Sequence, residues 1–289
     1  MQTLTQIAEL RQELAAAGHA GKTLGLVPTM GAFHEGHLAL MRQAKIENDL
    51  VLVTLFVNPT QFNDIEDFER YPRDMAQDAR QAEAAGATHL FLPAPEEIYP
   101  DGFDTVVVAR ALSARLEGAS RPGHFAGVAT VVTKLLNIAG ADRAYFGEKD
   151  WQQLQVIRRL AQDLNIPTEI IGLPTVRESD GLAMSSRNVR LTPEQRQAAQ
   201  VIPQALDNAQ AIADTGVQDA YQIAAWMRQT LEVQPLAHVD YAVVVHPETL
   251  QEIDTIEEGA LAAIAVTFGP VRLIDNRLLR PAPGLPVRR

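Results

Sequence analysis

The stretch Thr23-Leu24-Gly25-Leu26-Val27-Pro28-Thr29-Met30-Gly31-Ala32-Phe33-His34-Glu35-Gly36-His37 decides how the whole chain is read. Its first part, Thr23–Val27, is a short apolar run that predicts a strand, and Gly36–Asn48 behind it has helical periodicity. Between them lies a turn in which Gly31 and Gly36 let backbone come close to a ligand. A helix N-terminus offers N–H groups to an anion. His34 and His37 sit on the same turn and can donate hydrogen bonds to phosphate oxygens. Either histidine alone reads as a surface or capping residue. Together, on a glycine-flanked turn, they point to a phosphate-bearing ligand.

Working outward, the alternation of strand and helix continues. Leu4, Ile7, Leu10 and Leu14 predict one helix that stops at Gly18. Leu50–Phe56, His89–Leu92, Thr105–Val108, Arg143–Phe146 and Glu169–Leu173 predict strands; Asp74–Ala85, Gly127–Ala139 and Gln152–Leu164 predict helices. Such alternation argues for a doubly wound, Rossmann-like parallel α/β sheet. From Val176 the pattern changes, so residues 1–175 are expected to form the Rossmann-like domain and 176–289 a smaller α+β domain closing over it as a lid. Thr192, Pro193 and Gln195 have the form of a capping box opening a helix that runs towards Thr215. A helix over Ala220–Leu231 follows, then strands over Val239–Val245, Ala260–Thr267 and Val271–Ile274, the last two joined by a Phe268-Gly269-Pro270 hairpin turn. The last residues, with Arg277, Arg280, Arg288, Arg289 and three prolines, read as a frayed tail.

Composition narrows the function. Of 289 residues 46% are apolar, enough for a sizeable core, and the net charge of −11 disfavours nucleic acid as a partner. With no cysteine, disulfide scaffolds, thiolate zinc sites and a thiol nucleophile are all excluded. No run of about 18 apolar residues predicts a membrane span, and the polar start lacks a signal core, so a cytoplasmic location is expected. Two motifs fail on context. Gly21-Lys22-Thr23 leads from helix to strand, the reverse of a P-loop, and His34-Glu35-Gly36-His37 is one residue short of a zinc-protease helix.

Three further loops lie at the C-terminal ends of expected strands, where ligands bind open α/β sheets. They are Val57-Asn58-Pro59-Thr60-Gln61-Phe62, then Gly147-Glu148-Lys149-Asp150-Trp151-Gln152-Gln153, then Pro174-Thr175-Val176-Arg177 leading to Met184-Ser185-Ser186-Arg187-Asn188. Lys149 is one of only four lysines against 21 arginines, and a compact point charge suits a phosphate oxygen. Arg187 offers a bidentate grip beside two hydroxyls. Asp150 suits a ribose hydroxyl or a metal-bound water, and the amides of Gln61 and Gln153 can serve a carboxylate or a hydroxyl.

In combination these segments resemble a known family. The HxGH turn is similar to that of the nucleotidyltransferases related to class I aminoacyl-tRNA synthetases. VNPTQF, YPRD, EEIYP, LEGASRPGHF, FGEKDWQQL, GLAMSSRN and RLIDN narrow the resemblance to the pantoate–β-alanine ligase family over roughly residues 20–280. It implies an enzyme that activates (R)-pantoate with ATP to a pantoyl adenylate, releases pyrophosphate, and passes the acyl group to β-alanine with release of AMP. On that resemblance Met30, Gly31, Ala32, Phe33, His34, Glu35, Gly36 and His37 line the ATP site, together with Gly147, Glu148, Lys149, Asp150, the backbone of Val176, and Met184, Ser185, Ser186 and Arg187. His37, His34, Lys149 and Arg187 carry the catalysis; His37 is usually given as a proton donor, and hydrogen bonding to phosphate charge is the role read here for both histidines. Gln61 and Gln153 bind pantoate, and Gln61 also borders the β-alanine site. The Met184–Arg187 segment stands where the synthetases have a mobile lysine-containing loop, and it has no lysine, so Arg187 and Lys149 supply the charge. Mg²⁺ is implied with ATP, Asp78 being an indirect contact, and a homodimer is implied as the assembly. Exclusion of water from the adenylate suggests lids at Glu117–Gly127 and Met184–Asn188. Two alternatives stand beside this: a nucleotidyltransferase acting on another small acceptor, and a catalytically idle nucleotide- or RNA-binding relative.

Overall fold

The computed structural model describes residues 1–63 and 65–280, which divide into two compact units, Met1–Thr175 and Val176 onward. In chain order the first unit contains β1 (Gln2–Leu4), α1 (Ile7–His19), β2 (Leu24–Thr29), α2 (Glu35–Glu47), β3 (Leu50–Leu55), α3 (Ile65–Glu69), α4 (Met75–Ala84) and β4 (His89–Phe91). It continues with α5 (Pro95–Ile98), α6 (Arg110–Ser113), α7 (Glu117–Ser120), α8 (His124–Ala139), β5 (Arg143–Gly147), α9 (Trp151–Asp163) and β6 (Glu169–Leu173).

Its six strands are all parallel and lie in the order β1-β4-β3-β2-β5-β6. The chain winds outward from β2 through β3 to β4, then crosses back to place β5 on the other side of β2. The β2/β5 boundary is therefore the topological switch point, where the loops leaving two adjacent strands part and open a crevice. Strand β3 is buried over Val51–Leu55, as a central strand covered on both faces must be. Val27, Met41, Ala44, Val53 and Leu90 share one core cluster with it. Each fully buried large aliphatic side chain there contributes about 1.5–3 kcal/mol.

Three expectations for this unit need correction. Leu4 does not begin a helix: Gln2–Leu4 pairs in parallel with His89–Phe91, and the helix starts at Ile7 and runs past Gly18 to His19. Thr105–Val108 has strand-forming residues but pairs with no described strand. Glu117–Gly127 is anchored rather than lid-like. Glu117 and Gly118 are buried, and Gln152 on α9 accepts from the Glu117 N–H (3.0 Å) while donating to the carbonyls of Leu112 and Arg115 (2.7 Å each).

The second unit contains α10 (Pro193–Ala199), α11 (Val201–Asp214), α12 (Ala220–Glu232) and an antiparallel sheet β7-β8-β9 (His238–Val245, Ala260–Phe268, Val271–Leu279). Thr192 and Gln195 form the reciprocal capping box, and Phe268 pairs with Val271 across a two-residue turn. Ile202, Leu206, Ile223 and Met227 from the helices pack with Val244, Ile264, Val266 and Phe268 from the sheet. The helix expected to run unbroken to Thr215 is interrupted at Gln200, because Pro203 has no N–H for the Ala199 carbonyl and its ring would crowd it. Arg277 is not part of a frayed tail: it lies in β9 and pairs with Asp207. The Arg280 N–H bonds to Gln210 (3.3 Å), whereas Arg288 and Arg289 lie outside the described residues.

Candidate active site at the carboxyl edge of the sheet

The turn after β2 is held by its own side chains. His34 caps α2: its Nδ1 accepts from the Gly36 N–H (3.2 Å), while Nδ1 of His37 accepts from the His34 N–H (3.4 Å). A ring nitrogen that accepts carries no proton, so in the neutral form each of these two rings is the Nε2–H tautomer. The two rings lie 4.1 Å apart between centroids. Among the described residues Nε2 of His37 has no hydrogen-bond partner. Desolvation first, then His34 and Lys149, push the His37 imidazole down to about 3 against the opposing pull of Asp150. At neutral pH it is an uncharged N–H donor.

The backbone of this turn is strained. Gly31 has φ +88° and Ala32 φ +53°, and the left-handed region costs a residue with a Cβ about 1–2 kcal/mol. Asp78, from the first turn of α4, holds the conformation: its two oxygens accept from the N–H groups of Ala32 (2.9 Å) and Phe33 (3.0 Å). A Cβ on Gly31 would stand 2.7 Å from Asp78 Oδ2, so glycine is needed for space as well as for φ. These contacts give the buried Asp78 carboxylate a positioning task in place of the metal contact expected for it. Among the described residues no group of three or more His, Asp or Glu is arranged to hold a metal ion. A Mg²⁺ cage made by the protein does not fit this site.

Gln61, on the Pro59–Gln61 turn after β3, reaches the same place. Its Nε2 donates to Met30 Sδ (3.0 Å) and its Oε1 accepts from Asn58 (3.0 Å). Asn58 is 1% exposed and is a hub, its amide also donating to the Gly127 carbonyl (3.2 Å) and its oxygen accepting from the hydroxyls of Thr60 (2.9 Å) and Tyr99 (2.9 Å). Gly127 makes the close packing possible, since a Cβ there would lie 2.5 Å from the Thr60 carbonyl oxygen. The Gln61 carbonyl in turn accepts from His124 Nδ1 (2.8 Å), whose Nε2 faces Arg121 Nη1 at 3.1 Å. Burial, then Arg121, push His124 down to about 4, so it too is neutral.

At the tip of β5, Lys149 lies 3.5 Å from Asp150, and both are near enough to His37 to act on its protonation. Gly147 has an ordinary φ of −78°, and a Cβ there would meet nothing within 4 Å. Neither conformation nor packing requires a glycine. Its lack of a side chain leaves space open before the strand end. Gln153 is partly exposed at the start of α9, and among the described residues its amide makes no hydrogen bond; its neighbour Gln152 is the structural amide. The structure thus brings Met30, Gly31, Ala32, Phe33, His34, His37, Gln61, Lys149 and Asp150 into one connected neighbourhood. Asn58, Asp78, Tyr99, Arg121 and His124 belong to it as well, although sequence reasoning passes over four of them and gives Asp78 another task. The VNPTQF, EEIYP and LEGASRPGHF motifs contain Asn58, Tyr99, Arg121 and His124, without roles.

In the second unit, Val176 and Met184 are joined by a hydrogen bond from the Met184 N–H to the Val176 carbonyl (2.9 Å). Asn188 locks the following turn, donating to Glu178 (2.6 Å) and the Ala183 carbonyl (3.0 Å), while Arg196 pairs with Glu178 and Asp180. Arg177 grips the buried Asp275 with two bonds (2.7 and 3.1 Å). Ser185 accepts from the Arg187 N–H (3.2 Å), so its hydroxyl shapes the turn that carries Ser186 and Arg187.

A parallel α/β sheet with a histidine-bearing, glycine-containing turn at its switch point is the form of an α/β enzyme with its site at the carboxyl edge. The family model for pantoate-beta-alanine ligase matches residues 2–278. Pantothenate synthetases of Brucella anthropi and Rhizobium meliloti are each 49% identical, over 96% and 97% of this chain and 97% of each relative. Among solved structures, the pantothenate synthetase of Thermus thermophilus matches with a TM-score of 0.90 and 47% identity, covering 96% of this chain and 99% of that one. The pantoate-beta-alanine ligase of Francisella tularensis, complexed with beta-gamma ATP and beta-alanine, matches with a TM-score of 0.78 and 36% identity over 96% and 97%. The chain belongs to the pantoate–β-alanine ligase family.

Proposed function

We propose that the protein joins (R)-pantoate to β-alanine in two steps at the carboxyl edge of its six-stranded sheet. A pantoate carboxylate oxygen attacks the α-phosphorus of ATP, and the bond to pyrophosphate breaks. The β-alanine nitrogen then attacks the acyl carbon, AMP departs with the carboxyl oxygen, and the amine gives up a proton. Carboxylate is a poor electrophile, and the mixed anhydride supplies the leaving group it lacks. What such a transfer asks of the protein is positioning and donors around charge.

The observation that carries this reading is the double imidazole cap, in which backbone N–H groups occupy both Nδ1 atoms and commit both Nε2–H groups to donation. His34 and His37 would donate to phosphate oxygens, Lys149 would place a point charge among them, and the open space at Gly147 would admit the nucleotide. Glu148, Asp150, Glu35 and Gly36 complete that side by sequence resemblance. Gln61 and Gln153 would bind pantoate, Gln61 exchanging its weak Met30 contact for substrate and bordering β-alanine. Val176, Met184, Ser185, Ser186 and Arg187 are assigned to ATP, and the second unit to a lid, from resemblance alone. Mg²⁺ would arrive bound to the triphosphate. The Francisella complex supports ATP and β-alanine as ligands of this family. No helix among the described residues is long and apolar enough to cross a membrane. We place the reaction in the cytoplasm, where ATP is available, and propose a homodimer as the working form.

Pantoate-dependent exchange of labelled pyrophosphate into ATP, without β-alanine, tests the reading. Exchange is expected only when pantoate is present. No exchange, or exchange indifferent to pantoate, would overturn it. With β-alanine added, AMP and the amide should appear in equal amounts, whereas a nucleotidyltransferase would keep AMP on its acceptor.

A further inference from the structure

One face of β9 takes every second residue from Val271: Val271, Leu273, Asp275, Arg277 and Leu279. Its three aliphatic members belong to the core of the second unit. Asp275 is 3% exposed, and across the sheet it stands opposite the fully buried Ile264. Strand periodicity asks for an apolar side chain at such a position, so a carboxylate there needs a reason. The RLIDN motif contains this residue, and the site at the edge of the parallel sheet gives it no task.

The partner of Asp275 lies on the hairpin that bears Val176 and Met184. Arg177 follows Val176 on the outgoing limb and pairs with Ala183 on the returning one. Besides its two bonds to Asp275, its Nη1 donates to the Gly181 carbonyl (3.0 Å). The Asp275 carboxylate also accepts from the Asn276 N–H (2.8 Å). The chain turns through Gly181, φ +88°, and is closed by bonds from Glu178 N–H to the Leu182 carbonyl (2.8 Å) and from Met184 N–H to the Val176 carbonyl. Arg196 on α10 holds the tip separately through Glu178 and Asp180. Asp275 is thus the point at which the limb beside Val176 is fastened to the sheet.

A buried ion pair is a poor means of gaining stability, because desolvation offsets most of the attraction and apolar replacements of similar volume are often as stable. What a planar two-bond pair supplies is direction, which a sliding apolar contact does not. We infer that Asp275 is a positioning residue for ATP, acting through Arg177 to hold the Val176 and Met184 limbs where the nucleotide meets them. This deepens the function proposed above and rests on its assignment of that hairpin to ATP.

Pantoate-dependent pyrophosphate exchange in the full-length protein, with ATP and pantoate varied separately, tests the inference. Asp275→Asn keeps the shape but turns an amide N–H group towards the guanidinium. Its KM for ATP should rise about ten- to a hundredfold, with KM for pantoate unchanged and kcat less affected. Arg177→Met/Asp275→Leu separates positioning from stability. It leaves neither charge of the pair, so its denaturant midpoint should match or exceed that of the wild type while its KM for ATP stays raised. Asp240→Asn, which breaks the more exposed Arg272–Asp240 pair on the same sheet, should leave KM for ATP alone. Should Asp275→Asn fail to fold, the double variant decides. A double variant with wild-type stability and wild-type KM for ATP would overturn the inference, as would equal rises in both KM values for Asp275→Asn, and either leaves the proposed function standing. A wild-type protein without pantoate-dependent exchange would overturn both.

Discussion

The two edges of the six-stranded sheet use the same kinds of residue to opposite ends. At the amino edge, polar groups close upon one another. Tyr145 donates to Glu47 (2.7 Å) and accepts from Asn48 (2.7 Å), and Arg143 reaches the Glu47 carbonyl, the Asn48 side chain and Glu169. Asp49 accepts from Thr23, and Asp142 from the Leu24 N–H. At the carboxyl edge the backbone itself is used to aim side chains: Gly36 and His34 N–H groups fix the two imidazoles, and Asp78 fixes the turn bearing them. Polar groups matched to each other hold strands in register. Held from behind, the His37 ring keeps an Nε2 that has no hydrogen-bond partner among the described residues.

That contrast is sharpest for substitutions at the carboxyl edge. Lys149→Ala should lower pantoate-dependent pyrophosphate exchange by about 10²–10³-fold, the usual cost of removing one donor to developing charge, with little change in the unfolding midpoint. Tyr145→Phe should do the reverse. Exchange should persist, while denaturant unfolding shows a loss of about 0.5–1.5 kcal/mol from the lost hydrogen bonds to the exposed Glu47 and the buried Asn48. A Tyr145→Phe enzyme that keeps its stability and loses exchange would break the comparison.

Acid separates the edges next. His37 and His124 have folded pKa values of about 3 and 4, below the ordinary 6.5. As pH falls through 6.5 the unfolded chain takes protons that the folded one refuses, so stability rises with pH across this window and is lost towards its lower end. For the well-buried His124 the loss is up to about 3 kcal/mol. Chemical unfolding from pH 7 to 4 should show this slope, and His124→Asn, which cannot titrate, should make it shallower while His37 keeps its own share. The smallest effect is expected of Gly147→Ala. Its folded state has room for the methyl, so stability should hold or rise by about 0.4–1 kcal/mol. KM for ATP should increase severalfold if that space receives nucleotide.

Local signals carry the sequence reading where they are complete in themselves. The HxGH turn, the Thr192 capping box and the Phe268–Val271 hairpin each need only a few adjacent residues. Strand β1 escapes because three residues leave too short a pattern, and Leu4 happens to extend the periodicity of α1. Thr105–Val108 reads as a strand because composition reports the tendency to pair and not the presence of a partner. In the site, Asp78 lies 45 residues from the Phe33 N–H it holds and His124 lies 63 from the Gln61 carbonyl. Asn58 looks like any turn asparagine until Tyr99 and Gly127 close over it. Such roles are set by which loops meet, and spacing along the chain does not record that.

The most direct measurement is ¹⁵N NMR of the histidine side chains at pH 7, with and without ATP. The account predicts that His37 is neutral, protonated on Nε2 and not Nδ1, and that its Nε2–H resonance moves when ATP binds. A charged His37, the opposite tautomer, or a resonance that ATP leaves in place would contradict it.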